Sequence, residues 1–102
     1  MAEALRFAFE APADFDPKGV ASFLTEAIKP ALLDIAALED YAHEALERDF
    51  HAILDRRGIK LKDLAQALRV ALCGRPVSPP IFDTLALVGK DEVRRRLERW
   101  TA

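Results

Sequence analysis

These 102 residues contain one cysteine, four glycines and no long apolar run. The single thiol, Cys73, excludes an internal disulfide and suits a reducing compartment. No apolar stretch approaches the roughly 18 residues of a membrane span. The opening MAEALRFAFE lacks the basic start and long apolar middle of a signal peptide. The expected location is therefore cytoplasmic, with no membrane partner. The two histidines, His43 and His51, stand eight residues apart, and no cysteine or carboxylate pair is placed to complete a metal site. They read as solvent-facing polar side chains. Cys73 has no evident histidine partner and reads as a small buried or half-buried thiol. No glycine-rich phosphate loop follows a strand. No catalytic site, metal or cofactor is expected within this chain.

At 51% hydrophobic and 31% charged, the chain has the composition of one soluble globular domain, covering residues 1–102. Its net charge of −2 conceals an asymmetry. Residues 1–55 carry 12 acids against 4 bases, while residues 56–102 carry 11 bases against 5 acids. Halves at −8 and +6 admit two readings. Either the C-terminal half meets a polyanion, or the halves attract each other across a shared core.

Hydrophobic periodicity predicts helices throughout. Leu5, Phe7 and Phe9 alternate with polar or small residues, but one strand has no partner, so an extended packing segment is expected. Asp16 and Pro17 start a helix whose apolar side is Val20, Phe23, Leu24, Ala27 and Ile28. Pro30 interrupts it and opens a second, with Leu32, Leu33, Ile35, Ala36 and Leu38 inward and an almost wholly apolar surface. A third runs from about Ala42 to Arg57, burying Ala42, Leu46, Phe50, Ile53 and Leu54. Gly58 stops it, and Arg56 and Arg57 complement its dipole. The last helix has Val93, Leu97 and Trp100 on one side, with Arg94, Arg95, Arg96 and Arg99 read mostly as a solvated face. The expected fold is all-α: a single compact bundle of about six short helices, with an N-terminal part, 1–57, and a basic C-terminal part, 58–102.

The chain is organised around Gly58–Lys90, GIKLKDLAQALRVALCGRPVSPPIFDTLALVGK. Leu61, Leu64, Ala65, Leu68 and Leu72 form one buried stripe. Lys62, Gln66, Arg69 and Cys73 share another face of the same helix. Gly74 ends it. Arg75 lies in the loop beyond. Ser78 then caps a further helix with Pro79 in its first position, and Gly89 closes that helix. An arginine on a helix, an arginine in a loop and a helix N-terminus in succession could read a polyanion. Leu85, Ala86, Leu87 and Val88 supply this helix with an apolar face. One of Ile81 and Phe82 is then spared for stacking on a base, and Phe82 is the stronger candidate.

The run L-x-x-L-A-Q-x-L-R-V-A-L-x-G-R-x-V-S-P-x-I-F-D-x-L-x-L-x-G-K-[DE], followed by R-x-L-E-R, resembles the C-terminal end of bacterial glutamyl-tRNA synthetases. RFAFEAPADFDP and LEDYAHEALERDF sit where that family has comparable segments. The resemblance implies an anticodon-binding domain of the class I synthetase type. It carries over Arg69, Ile81 and Phe82 as tRNA contacts, and with Lys62, Gln66, Arg75, Ser78 and Pro79 from the residue reading these make up the expected tRNA-binding set. Its implied partners are tRNA(Glu), with tRNA(Gln) as a further candidate, and an upstream remainder of the parent synthetase, the whole acting as a monomer. Three positions depart from the family pattern: Ala67 where proline is frequent, Cys73 where threonine or serine is, and Pro80 where glycine is. The HIGH-type and KMSKS-type signatures do not occur. The resemblance therefore assigns glutamate activation, with its ATP and Mg, to a catalytic domain absent here. The alternative reading is a free-standing helical adaptor or regulator that binds a protein through its acidic half.

Overall fold

The computed structural model describes residues 15–75 and 80–101. Among these are six α-helices and no strand: α1 (Pro17–Phe23), α2 (Lys29–Ala36), α3 (His43–Arg57), α4 (Leu61–Cys73), α5 (Ile81–Val88) and α6 (Lys90–Thr101). A short 3-10 turn, Glu26–Ile28, joins α1 to α2. The all-helical fold expected from periodicity is the one observed. The extended segment expected around Leu5–Phe9 lies outside the described residues.

Local chemistry accounts for most of the boundaries. The Asp16 carboxylate accepts from the Lys18 N–H at 3.3 Å, with Pro17 in the first turn, where its missing N–H is no loss. Gly58 and Gly74 end α3 and α4 in the left-handed conformation, at φ 66° and 83°. Gly89 is different. At φ 88° and ψ 150° it occupies backbone space that a side chain rarely enters. Its N–H donates to Leu85 O and its carbonyl accepts from the Val93 N–H, so one residue both ends α5 and starts α6. The break after α1 falls earlier than the sequence suggests, since Thr25 is extended and Ala27 is exposed.

One core serves both halves of the chain. Leu32 and Ile35 of α2, Leu46 and Phe50 of α3, Leu64, Leu68 and Leu72 of α4, Leu85 of α5 and Leu97 of α6 are all fully buried in a single cluster. α2 packs most extensively on α6, and α1 on α4, so the acidic and basic parts interleave. Besides Ala27, three residues expected inside from the stripes of the second, third and fourth helices are outside. Leu33 is 51% exposed and Leu61 45%, and Ala42 is an exposed N-cap. α2 is thus a one-sided helix, buried through Ala31, Leu32 and Ile35. α4 runs the other way. It buries Ala67, Val70 and Ala71 beyond its expected stripe, because α1, α5 and α6 all pack on it.

Candidate nucleic-acid interface

The inward side of α4 leaves Lys62, Gln66 and Arg69 on its outer flank, where sequence spacing places them. Lys62 is exposed, while Gln66 and Arg69 are half-buried. Arg69 donates through Nη1 to Gln66 Oε1 at 3.0 Å, so the amide holds the guanidinium one turn before the helix ends. Gly74 then reverses the chain, its N–H donating to Val70 O at 2.8 Å. Its carbonyl accepts from the Asp16 N–H at 2.8 Å, which ties the exit of α4 to the start of α1. Arg75, immediately beyond, is exposed.

Ser78 and Pro79 lie outside the described residues. The following helix begins at Ile81 with Pro80 as its N-cap, two positions later than a Ser78 cap with Pro79 in the first turn would give. Its buried stripe is Ile81, Thr84, Leu85 and Val88, while Ala86 and Leu87 are exposed. Ile81 is therefore a core residue, 6% exposed, with little side-chain surface left for a base. The apolar face attributed to residues 85–88 is in fact spread over two turns, and Ile81 opens it. Phe82 is the one spared, but only in part. Its ring packs edge-to-face on Phe50 at 5.3 Å and on His43 at 5.5 Å between centroids. Phe82→Ala should therefore cost about 2 kcal/mol of stability in a denaturant titration, below the roughly 3–5 kcal/mol of a fully buried phenylalanine.

The basic helix α6 differs from its sequence reading. Arg94 and Arg96 are not on a solvated face. Arg94 donates to Ala36 O at 2.6 Å and to Leu38 O at 3.1 Å, closing the C-terminal end of α2, and pairs with Glu39. The Arg96 side chain is only 4% exposed. It donates through Nη1 to Leu72 O at 2.9 Å and through Nε to Glu92 at 2.8 Å. Charge count alone cannot show this, because a helix's final carbonyls accept donors from elements far away in sequence. Arg95 also pairs with Glu92, at 2.6 Å. Hydrogen bonds from Arg95 and Arg96 hold the Glu92 carboxyl down to about 2.

Attraction between the halves accounts for much of the charge asymmetry. Asp34, its pKa lowered by Arg57 and Arg56, accepts from both at 2.8 and 3.0 Å. Glu39 faces Lys90 and Arg94. Among the described residues, Lys60, Lys62, Arg75 and Arg99 are the basic residues of 56–101 that form neither an ion pair nor a hydrogen bond through the side chain. Burial pushes the Cys73 thiol up to about 11 against the opposing influence of Arg96 and Arg69, which keeps it protonated at neutral pH. His43 and His51 are exposed, and no group of three metal-ligating side chains occurs among the described residues. Among those residues, no helix is long and apolar enough to cross a membrane.

This arrangement has known counterparts. The family model described as "Anticodon binding domain" matches residues 1–101. A glutamate–tRNA ligase from Geotalea uraniireducens is 36% identical over 97% of this chain and 22% of its own length. One from an Anaeromyxobacter species is 45% identical over 88% of this chain and 20% of its own. The chain thus spans about a fifth of the length of these relatives. A crystal structure of a glutamate tRNA ligase from Elizabethkingia meningosepticum superposes with a TM-score of 0.85 at 21% identity, covering 94% of this chain and 20% of that one. That likeness speaks for the fold, and the sequence match over nearly every residue speaks for the family. The chain belongs to the anticodon-binding domain family.

Proposed function

We propose that this chain binds the anticodon arm of tRNA(Glu) as the anticodon-binding domain of a glutamate–tRNA ligase. Glutamate would be attached to the tRNA 3′ end, with ATP and Mg, by domains outside the chain. The observation that carries this reading is the sorting of cations. Those on α3 and the first turns of α6 are neutralised within the fold, whereas Lys62, in the first turn of α4, and Arg75, just beyond its end, have no carboxylate partner among the described residues.

In this reading Arg69, steadied by Gln66, grips a base edge or phosphate with its fork of donors. Lys62 and Arg75 supply charge to the backbone, and the outer edge of Phe82 stacks on an unpaired base. Ser78 and Pro79, which follow Arg75 in the sequence, belong to the same proposed set of tRNA contacts. The ligase would work as a monomer, and tRNA(Gln) is a second substrate only if the anticodon reading tolerates it.

Titration of labelled tRNA(Glu) at several salt concentrations tests the proposal. Affinity should fall as salt rises, with a log–log slope of roughly −0.7 for each single-strand phosphate neutralised. Binding that is absent, or unchanged from low to high salt, would overturn it.

A further inference from the structure

Of the five basic residues on α6, four are consumed within the fold: Lys90 and Arg94 by Glu39, Arg95 and Arg96 by Glu92. Arg99 is exposed and has no carboxylate partner among the described residues. Its guanidinium lies over the Phe15 ring, 4.5 Å from the centroid, and 5.3 Å from that of Trp100. The two rings meet each other edge-on at 5.0 Å. A cation beside aromatic rings keeps its full charge, and its N–H donors remain available to an anion.

The location of this cluster matters as much as its chemistry. Phe15 is joined directly to Asp16, whose N–H is bonded to Gly74 O, the residue before Arg75. One turn earlier on α6, Arg96 is bonded to Leu72 O at the end of α4. Residues three apart share a helix side, so Arg99 lies on the side of α6 that faces the exit of α4. The surface that starts at Arg69 and Arg75 therefore continues onto α6.

We propose that Arg99, held over Phe15 and beside Trp100, is a second RNA contact that takes a phosphodiester of the same tRNA beyond the bases facing α4 and α5. The inference rests on the proposed tRNA-binding function. A phosphate contact positions the strand and carries no base preference. Arg99→Ala should thus weaken tRNA(Glu) and an anticodon-mutated tRNA equally, by about tenfold, the scale of one charge-assisted hydrogen-bonded contact. It should also reduce the magnitude of the salt slope by roughly 0.7–1. Arg95→Ala, which removes a charge already paired with Glu92, should do neither.

Trp100 is the only tryptophan in the chain, so its emission reports on this patch without any substitution. Excited selectively, it should change in intensity as tRNA saturates the unaltered protein. This measurement stands even if Arg99→Ala fails to fold. If tRNA binds, as judged by an independent label, while Trp100 emission stays constant, the inference is overturned and the proposed function survives. The inference falls in the same way if Arg99→Ala and Arg95→Ala bind alike. If tRNA does not bind the unaltered chain at all, the proposed function fails, and this contact with it.

Discussion

Glu92→Ala will destabilise the fold by about 3 kcal/mol, measured by chemical denaturation, although Glu92 lies near the surface. The cost falls on its partner. Arg96 has a side chain only 4% exposed and is bonded to Glu92 and to Leu72 O. Removing the carboxylate leaves a buried guanidinium with only a carbonyl to answer its charge, and breaking a buried pair from one side costs roughly 3–5 kcal/mol. The Glu92 side chain itself retains 28% exposure, so water can partly replace it, and the lower end applies. Replacing the whole pair should hurt less. Glu92→Ala combined with Arg96→Met removes the stranded charge and keeps an apolar chain in the space, leaving mainly the orphaned Leu72 carbonyl. A double variant no more stable than Glu92→Ala would contradict this account.

The same pair sets an acid limit. The Glu92 carboxyl is depressed from 4.5 to about 2 by its hydrogen bonds to Arg95 and Arg96. A group held below its unfolded value stabilises the fold fully above that value and loses the contribution as pH falls through the folded one. Stability should therefore decline between about pH 5 and pH 2, and Glu92→Gln should flatten part of that decline.

Arg69→Ala should weaken tRNA(Glu) by about 10- to 100-fold, which corresponds to the roughly 1–3 kcal/mol of a specific bidentate base contact. An anticodon-mutated tRNA should lose much less, so the ratio between the two tRNAs shrinks. The fold should survive, because the buried side of α4 is Leu64, Leu68 and Leu72 and does not include Arg69. Gln66→Ala should produce a weaker version of the same change, since its amide only holds the guanidinium in place. Phe82→Ala should affect both tRNAs alike, because stacking tolerates most bases. The measurement is a titration of each variant against both tRNAs. If Arg69→Ala binds both as the unaltered chain does, this face of α4 does not read the anticodon.

The helices themselves are legible in the sequence because their signals are local. A stripe such as Leu64, Leu68 and Leu72, a glycine at Gly58 or Gly74 and a cap at Asp16 each depend on a few neighbouring residues. Exposure is less legible. Leu33 and Leu61 look as apolar as their buried neighbours, but nothing packs over them, and only the tertiary arrangement decides that. Of the pair Ile81 and Phe82, Ile81 turns inward because it shares a helix face with Thr84, Leu85 and Val88, three, four and seven residues on. The arginines of α6 differ for a third reason. A sequence shows where the donors are, but it does not show that the carbonyls of Ala36 and Leu72 will end up beside them. Lys62, Gln66 and Arg69 fare better because their common face follows from spacing alone.

The carbonyl ends of α2 and α4 are both closed by donors from α6, across 58 and 24 residues of chain. During synthesis the first five helices leave the ribosome before those donors do. Until α6 follows, the carbonyls of Ala36 and Leu72 lack these partners, and the apolar faces that meet Val93 and Leu97 stand open to water. The unit is therefore expected to complete its folding only once α6 is released. A nascent chain arrested when Gly89 has just left the ribosome should be cut readily by protease, and one long enough to release Thr101 should resist.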